Sequence, residues 1–481
     1  MKIDPNFLII FPLLFSILVL IFRKHSKQIG VSSSIINLSI VGLLYLSETH
    51  DFYVSNWALK GVHLIINSNS KLMLLMVSVV FLSVIVNSLK KNYNYNFYFF
   101  SLVFLASVNA SMISYDLFNI YVVIELASLS AYLLIGYKQK KVQLWASLKY
   151  LVLSSVALNF YLLGIGILYA YNRTFDISNL RIVPEISIVF ILLGLFAKSG
   201  IFFMSMWLPL AHSQAETEVS ALLSGIFVKI GAFQIIKLLS LNSFATARPF
   251  VSFVAIVSSI VGVIYAFNEK NSKKILAYST LSQMGFVLSG ISFANILHMF
   301  NHGIFKSLLF LTVGDSVEDY SKKTIQELKE QKIPLLRNIA LKIAVFGIIG
   351  MPFLSGFVSK TMIEHEATIM AKIGLSIAAI GTTATFWKFT NFRSIKVASM
   401  KVHEYLGYLI LTFFIISVGI SGSSKMEFKD ILKSVALILA GIVVYKIFRP
   451  VKFSKSFEKL DNALLLYIVF CVIGLSFFFI F

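Results

Sequence analysis

Glu125 stands in the middle of "YDLFNIYVVIELASLSAYLLIGY" (residues 115–137), a stretch with no other charge after Asp116. Five lysines are equally out of place, each well inside an apolar run: Lys198, Lys229, Lys306, Lys360 and Lys388. A charged side chain at the centre of a bilayer costs at least about 2.5 kcal/mol, so such groups are kept where they face one another or water. Carboxylates, amines and imidazoles in that setting offer reversible protonation, the chemistry of an ion path. "LHMFNHGIFKSLLFL" places His298, His302 and Lys306 at i, i+4 and i+8, one stripe of a helix. Ser220, Ser224 and Lys229 in "VSALLSGIFVKIGAF" also fall close to one face. Lys198 in "GLFAKSGIFFMSMWLPL" lies beside Gly200 and Pro209, and Lys360 in "GMPFLSGFVSKTMIEHEA" follows Gly350, Pro352 and Gly356. Broken helices in transporters expose backbone groups that line a wet cavity. "LSGIFVK" (223–229) and "LSGFVSK" (354–360) echo one another, each with Lys six residues after Leu, as two halves of a repeat would. His298 and His302 have the HxxxH spacing of two metal ligands. Met299 replaces the Glu of HExxH and no third ligand is near, so no metal is assigned.

These residues need elements that cross a membrane. The chain has 481 residues, 58% of them hydrophobic, with mean hydropathy +0.84. Apolar runs recur around residues 14, 39, 79, 104, 126, 160, 195, 228, 257, 284, 305, 350, 380, 412, 439 and 472. Most are long enough to span a core of about 30 Å as helices, and too continuously apolar for alternating barrel strands. The expectation is an all-α polytopic membrane protein lying in a lipid bilayer. Run 7–21 is followed by "RKHSKQ" with no small-residue cleavage site and reads as a retained first helix. The single cysteine, Cys471, can support neither an iron–sulfur cluster nor an internal disulfide. There is no GxGxxG or GxxxxGK[ST] loop, so no nucleotide site is visible and no cofactor is assigned.

Of the 42 Lys and Arg, 24 fall in alternate connections, including Lys138, Lys140, Lys141, Lys273, Lys274, Lys322 and Lys323, and 11 in the others and the N-terminus. By the positive-inside rule the richer side is cytoplasmic and both termini lie on the other side. Topology thus accounts for the net charge of +20, and no nucleic-acid partner is assigned. The connection after the seventh run departs from the pattern, with Glu216 and Glu218 and no Lys or Arg.

Long blocks in order now carry a resemblance: "IELASLSAYLL", "LKYLVLSSVALNFYLLGIGILYA", "FAKSGIFFMSMWLPLAHSQAETEVSALLSGIFVKIGAF", "NSKKILAYSTLSQMGFVLSGI", "NHGIFKSLLFLTVGD" and "GMPFLSGFVSK". From about residue 70 to 395 the chain resembles the proton-conducting membrane subunits shared by respiratory complex I and the Mrp-type cation/proton antiporters. The resemblance implies about fourteen helices with two inverted repeats, each containing a discontinuous helix, so that 14–16 transmembrane helices are expected here. It divides the chain into N-terminal helices (1–95), a first repeat (96–240), a second repeat (241–395) and C-terminal helices (396–481). It makes Glu125 the carboxylate that opens a channel, Lys198 its partner, Lys229 the central lysine, His302 and Lys306 the continuation, and Lys360 the terminal residue. His298, Lys388, Glu216 and Glu218 are secondary candidates, and Lys388 has no family counterpart. "AETEVS" stands where the family has a Pro-containing APTPVS, and Gln283 stands where some members have His.

The expected function is proton translocation through this Glu/Lys/His relay, within a multisubunit Mrp-type Na⁺/H⁺ antiporter of the cell membrane. Two alternatives stand beside it: a proton-pumping subunit of NADH-quinone oxidoreductase, and a structural membrane subunit that transports nothing. Nothing in the chain transfers electrons, so any redox step belongs to a partner. All three readings require other membrane subunits.

Overall fold

The computed structural model describes residues 4–54, 61–395, 405–451 and 456–480. The helices are α1 (Phe7–Ile21), α2 (Ser26–Tyr45), α3 (Ser68–Ser88), α4 (Tyr95–Ile113), α5 (Leu117–Ile135), α6 (Lys141–Asn172), α7 (Glu185–Ser199), α8 (Leu208–Gln214), α9 (Thr217–Leu222), α10 (Val228–Leu239), α11 (Ala247–Asn268), α12 (Ser272–Leu288), α13 (Phe293–Tyr320), α14 (Ile325–Lys329), α15 (Leu335–Ile349), α16 (Ser355–Glu366), α17 (Ile369–Phe386), α18 (Leu406–Ser423), α19 (Phe428–Ile447) and α20 (Leu460–Ile480). Each of the sixteen run centres read from sequence falls in or at the end of one of these helices. Eleven helical stretches among the described residues are individually long and apolar enough to cross a membrane. An antiparallel hairpin, β1 (His50–Val54) with β2 (Val62–Ile66), precedes α3.

Local chemistry sets the helix starts. Asn67 and Ser70 form a reciprocal capping box at α3, and the Asp116 carboxylate accepts from the Asn119 N–H at 2.7 Å to open α5. These side chains satisfy N–H groups that a helix start leaves free.

Two helices are broken where the sequence places Gly. α7 ends at Gly200 (φ +72°) and resumes as α8, where Pro209 lies in the first turn. α15 ends at Gly350 (φ +94°) and resumes as α16. Both glycines occupy the left-handed region, where any Cβ is strained. The two breaks hold equivalent places in two inverted repeats.

The burial pattern puts the site at the centre. Every residue of α10 is buried, and α13 is buried over most of its length, so their lysines and histidines are enclosed by protein. Exposed apolar residues such as Leu439, Val443, Ile468 and Val472 lie on the outer helices α19 and α20, where lipid is the solvent. The chain ends share one end of the bundle with the hairpin: Leu8 accepts from Asn109 near the last turn of α4, and Phe478 meets Phe250 at the start of α11.

Candidate functional site

Lys198 is the penultimate residue of α7, fully buried, at the lip of the first break. Its ammonium donates to Ser128 Oγ on α5 at 2.6 Å and to Ser154 Oγ on α6. The faces of Tyr150 and Phe227 lie 5.8 Å away. Glu125 sits one turn before Ser128 on α5 and has no hydrogen bond or ion pair with Lys198. The sequence expectation of a Glu125–Lys198 pair thus takes a looser form, in which serine hydroxyls hold the ammonium and the carboxylate stands behind them.

Lys229 begins α10. Between α9 and α10, residues Leu223–Phe227 form one π-helical turn. Such turns leave backbone carbonyls without their usual i+4 donors and recur at functional sites. Here the Lys229 ammonium donates to the carbonyl of Ser224, while Ser224 Oγ pairs with Thr280 Oγ1 at 2.8 Å.

Sequence reading did not single out His212. It lies on α8, fully buried, stacked on Phe310 with centroids 4.5 Å apart. Neither ring nitrogen has a protein partner among the described residues, and it is within electrostatic reach of Lys306, Lys273 and Lys229. The signal was present in "WLPLAHSQA", a polar break in an apolar block.

The α13 stripe exists as expected and connects two neighbours. Lys306 donates to the Leu276 carbonyl at 2.7 Å and Ser279 Oγ at 2.5 Å, both on α12. His298 Nδ1 is 2.9 Å from Ser359 Oγ on α16. His302 lies between them, its ring 6.5 Å from that of His298, and both of its nitrogens are buried without a protein partner among the described residues. Such orphaned groups mark where water belongs. Lys360, on α16, donates to the Ile348 carbonyl at 2.6 Å, one of the carbonyls released by the second break. It lines a cavity of about 50 Å³ with Glu364, Lys372, Thr383, Asp430 and Lys433.

Lys198, Lys229, Lys306 and Lys360 share one property. Each is held by hydroxyl or carbonyl oxygens, and among the described residues none has a carboxylate at ion-pair distance.

Lys388 does not join them. The sequence places it well inside a run, but it follows the end of α17 and donates to the carbonyls of Phe267, in the last turn of α11, and of Glu269, just after that helix. Lys237, which sequence reading counted with the connections, is buried in the last turn of α10 and donates to the Ser114 carbonyl at 2.8 Å.

Glu216 and Glu218 belong to a charged cluster at the end of the bundle opposite the hairpin. Glu216 pairs with Lys138 at 2.5 Å. Glu218, fully buried, accepts from Lys91 (2.8 Å), Tyr93 Oη (2.6 Å) and Asn87 (2.9 Å). Lys91 also pairs with Asp315 and Glu318, at 3.1 and 2.7 Å, and Lys90 pairs with Asp315 at 2.5 Å. Burial alone would lower the Lys91 pKa, but Glu218, Asp315 and Glu318 together raise it above the usual lysine range. The negative charge that replaces the family prolines is thus neutralised.

The geometry agrees with what the chain is similar to. Residues 114–386, more than half of the chain, match the family described as NADH:quinone oxidoreductase/Mrp antiporter, TM. A Staphylococcus aureus protein named "Putative antiporter subunit mnhD2" is 29% identical over 427 residues, covering 80% of this chain and 84% of that one. In the Mrp complex from Dietzia sp. DQ12-45-1b, one chain superposes with TM-score 0.73 at 20% identity, covering 98% of this chain and 94% of that one. A chain of respiratory complex I from Thermus thermophilus gives 0.78 at 18% identity, covering 91% and 99%. With its broken helices, central lysines and matched core, the chain belongs to the NADH:quinone oxidoreductase/Mrp antiporter transmembrane family.

Proposed function

We propose that this chain is the proton-translocating subunit of a multisubunit Mrp-type monovalent cation (Na⁺)/proton antiporter, working with other membrane subunits. The observation that carries the reading is the row of buried lysines held by neutral oxygens alone. Among the described residues no carboxylate lies at ion-pair distance of them, so gaining or losing a proton breaks no ion pair. Glu125 biases Lys198 from behind the Ser128–Ser154 clamp, and protons pass from Lys198 through water to Lys229. They continue by His302 and Lys306 to Lys360, with His298 beside the route. A fully ion-paired site could not do this without breaking its pairs. The antiporter reading rests on the kinship with the Staphylococcus protein, and co-purification with other small membrane subunits alone is the result expected of it. Co-purification with a flavin and iron–sulfur arm would move the chain to complex I instead. The repeats in this reading span 96–240 and 241–395, flanked by 1–95 and 396–481.

Lys229→Ala tests the relay. Proton uptake into vesicles, at equal protein level, is expected to fall to background, because the central carrier is gone while an apolar substitute costs nothing in the bilayer. Uptake within about twofold of wild type removes Lys229 from the path. The orientation in this reading puts Lys138 and Lys273 in the cytoplasm and both termini outside. Cysteines at positions 140 and 273, in a Cys471→Ser background, are expected to resist an impermeant thiol reagent added to intact cells. Labelling of either reverses the orientation.

A further inference from the structure

Away from the lysine row, at the hairpin end, a second set of titratable groups is wired from the membrane interior to the surface. His63 on β2 is 3% exposed and bound at both nitrogens: Nδ1 lies 2.9 Å from Asp176 Oδ1, and Nε2 lies 2.6 Å from Asp51 Oδ1. The Asp176 side chain is buried at 9% exposure, whereas that of Asp51 is 67% exposed. The imidazole therefore joins an inner carboxylate to an outer one. Tyr53 stacks on the ring at 4.4 Å and donates to Asp176 at 3.3 Å. Asn179 donates to the same carboxylate, and Asp116 is bridged to Asp176 through the backbone.

Behind the imidazole stands Tyr115. Its N–H donates to the His63 carbonyl at 2.9 Å, and its ring centroid is 6.0 Å from that of His63. The same ring carries the ammonium of Lys237 at 4.6 Å on its face. Lys237 has no carboxylate at ion-pair distance among the described residues; its acceptor is the Ser114 carbonyl. It lies two turns beyond Lys229 on α10, about 12 Å along the axis. Lys229, Lys237, His63 and Asp51 thus descend in order from the core to the hairpin surface.

We propose that Lys237, His63 and Asp51 form a second proton port, opening from the first repeat onto the hairpin face. This rests on the relay reading above. A proton leaving the Lys237 ammonium passes through water beside Tyr115 to the Asp176 carboxylate, which hands it to His63 Nδ1. It departs from Nε2 to Asp51 and then to solvent, and water-assisted transfer of the remaining ring proton from Nδ1 to Nε2 restores the starting tautomer. No redox partner is needed. A hairpin anchor alone would be served by neutral side chains, whereas a histidine between a buried and an exposed carboxylate joins two proton acceptors through one ring.

The test uses right-side-out vesicles holding the complete complex, with a pH-sensitive dye inside and the pH varied on the hairpin face. Flux is normalised to the amount of assembled protein. His63→Gln, which keeps two hydrogen-bonding ends, is expected to lower flux about fivefold and to flatten its dependence on hairpin-side pH. Added imidazole is expected to restore part of it. Asp51→Asn leaves the buried Asp176 anchor in place and should lower flux in the same direction, which keeps the proposal testable if His63→Gln assembles poorly. If Lys229→Ala abolishes flux but both hairpin variants keep wild-type flux and pH profile, the port is overturned and the relay stands. If Lys229→Ala keeps full flux, the relay falls and the port with it.

Discussion

Two buried charged regions of this molecule obey opposite rules. At the end opposite the hairpin, Lys90, Lys91 and Lys138 meet Asp315, Glu218, Glu318 and Glu216 in direct ion pairs. Along the membrane interior, Lys198, Lys229, Lys306 and Lys360 donate to hydroxyls and carbonyls, with no carboxylate at ion-pair distance among the described residues. In the first region each charge is fixed by a partner of opposite sign. The second has no anion in contact, so gaining or losing a proton breaks no ion pair. Burial alone therefore does not make a group a carrier; the chemistry of its partner does.

The largest effect is expected from making the second region resemble the first. Ser128→Asp would place a carboxylate beside Lys198 and pin its charge, since an opposite charge within about 4–6 Å favours the ionised form. Proton flux is expected to fall about tenfold or more at unchanged protein level. Ser128→Asn, which offers an acceptor without charge, should keep most of the flux. Equal loss in both variants would mean that shape, not charge, governs the clamp.

The converse change is Glu218→Gln in the paired cluster. It leaves Lys91 short of one partner and should cost about 3 kcal/mol of stability, as breaking a buried pair does. This would be read as an earlier thermal transition in detergent, while flux per assembled molecule stays within about twofold. The raised Lys91 pKa gives a pH sign. Its stabilisation is fully present below the ordinary lysine range near 10.4 and is lost only above the folded value. The Lys91 contribution should therefore be flat from about pH 6 to 9, and a wild-type-minus-Lys91→Met stability difference that changes across that window would contradict the pairing.

The smallest effect concerns Glu125, which acts across the serine clamp. Glu125→Gln should reduce flux more than Glu125→Asp, since the amide keeps the shape and loses the charge. A double-mutant cycle with Lys198→Ala should show non-additivity. Simple addition of the two effects would uncouple them.

Much of this was legible in the sequence because a charge stands out against an apolar background. Glu125, Lys198, Lys229, Lys306 and Lys360 announce themselves that way, and Gly200 and Gly350 mark the breaks. Lys237 and His212 escaped because each lies near the end of an apolar stretch, where a polar residue looks like the start of a connection. Lys388 misled for the mirror reason, since its run continues past the true helix end. The paired cluster was unreadable, because Lys91 and Glu218 are 127 positions apart and Lys90 and Asp315 are 225 apart. Only the three-dimensional packing of α3, α9 and α13 brings them together. The π turn was equally hidden, because an α and a π turn can be built from the same residue types.

That turn has a consequence for inheritance. It places one residue more in its loop than an α turn would, so α9 and α10 are joined with the register advanced by about 100°. Loss of a single codon between Leu223 and Phe227 would let an ordinary helix run through, with every remaining side chain intact. Lys229 would then point about 100° away from its present direction. In this segment the number of residues is as much a determinant of the path as their identity, and a tolerated substitution and a one-residue deletion should have opposite fates.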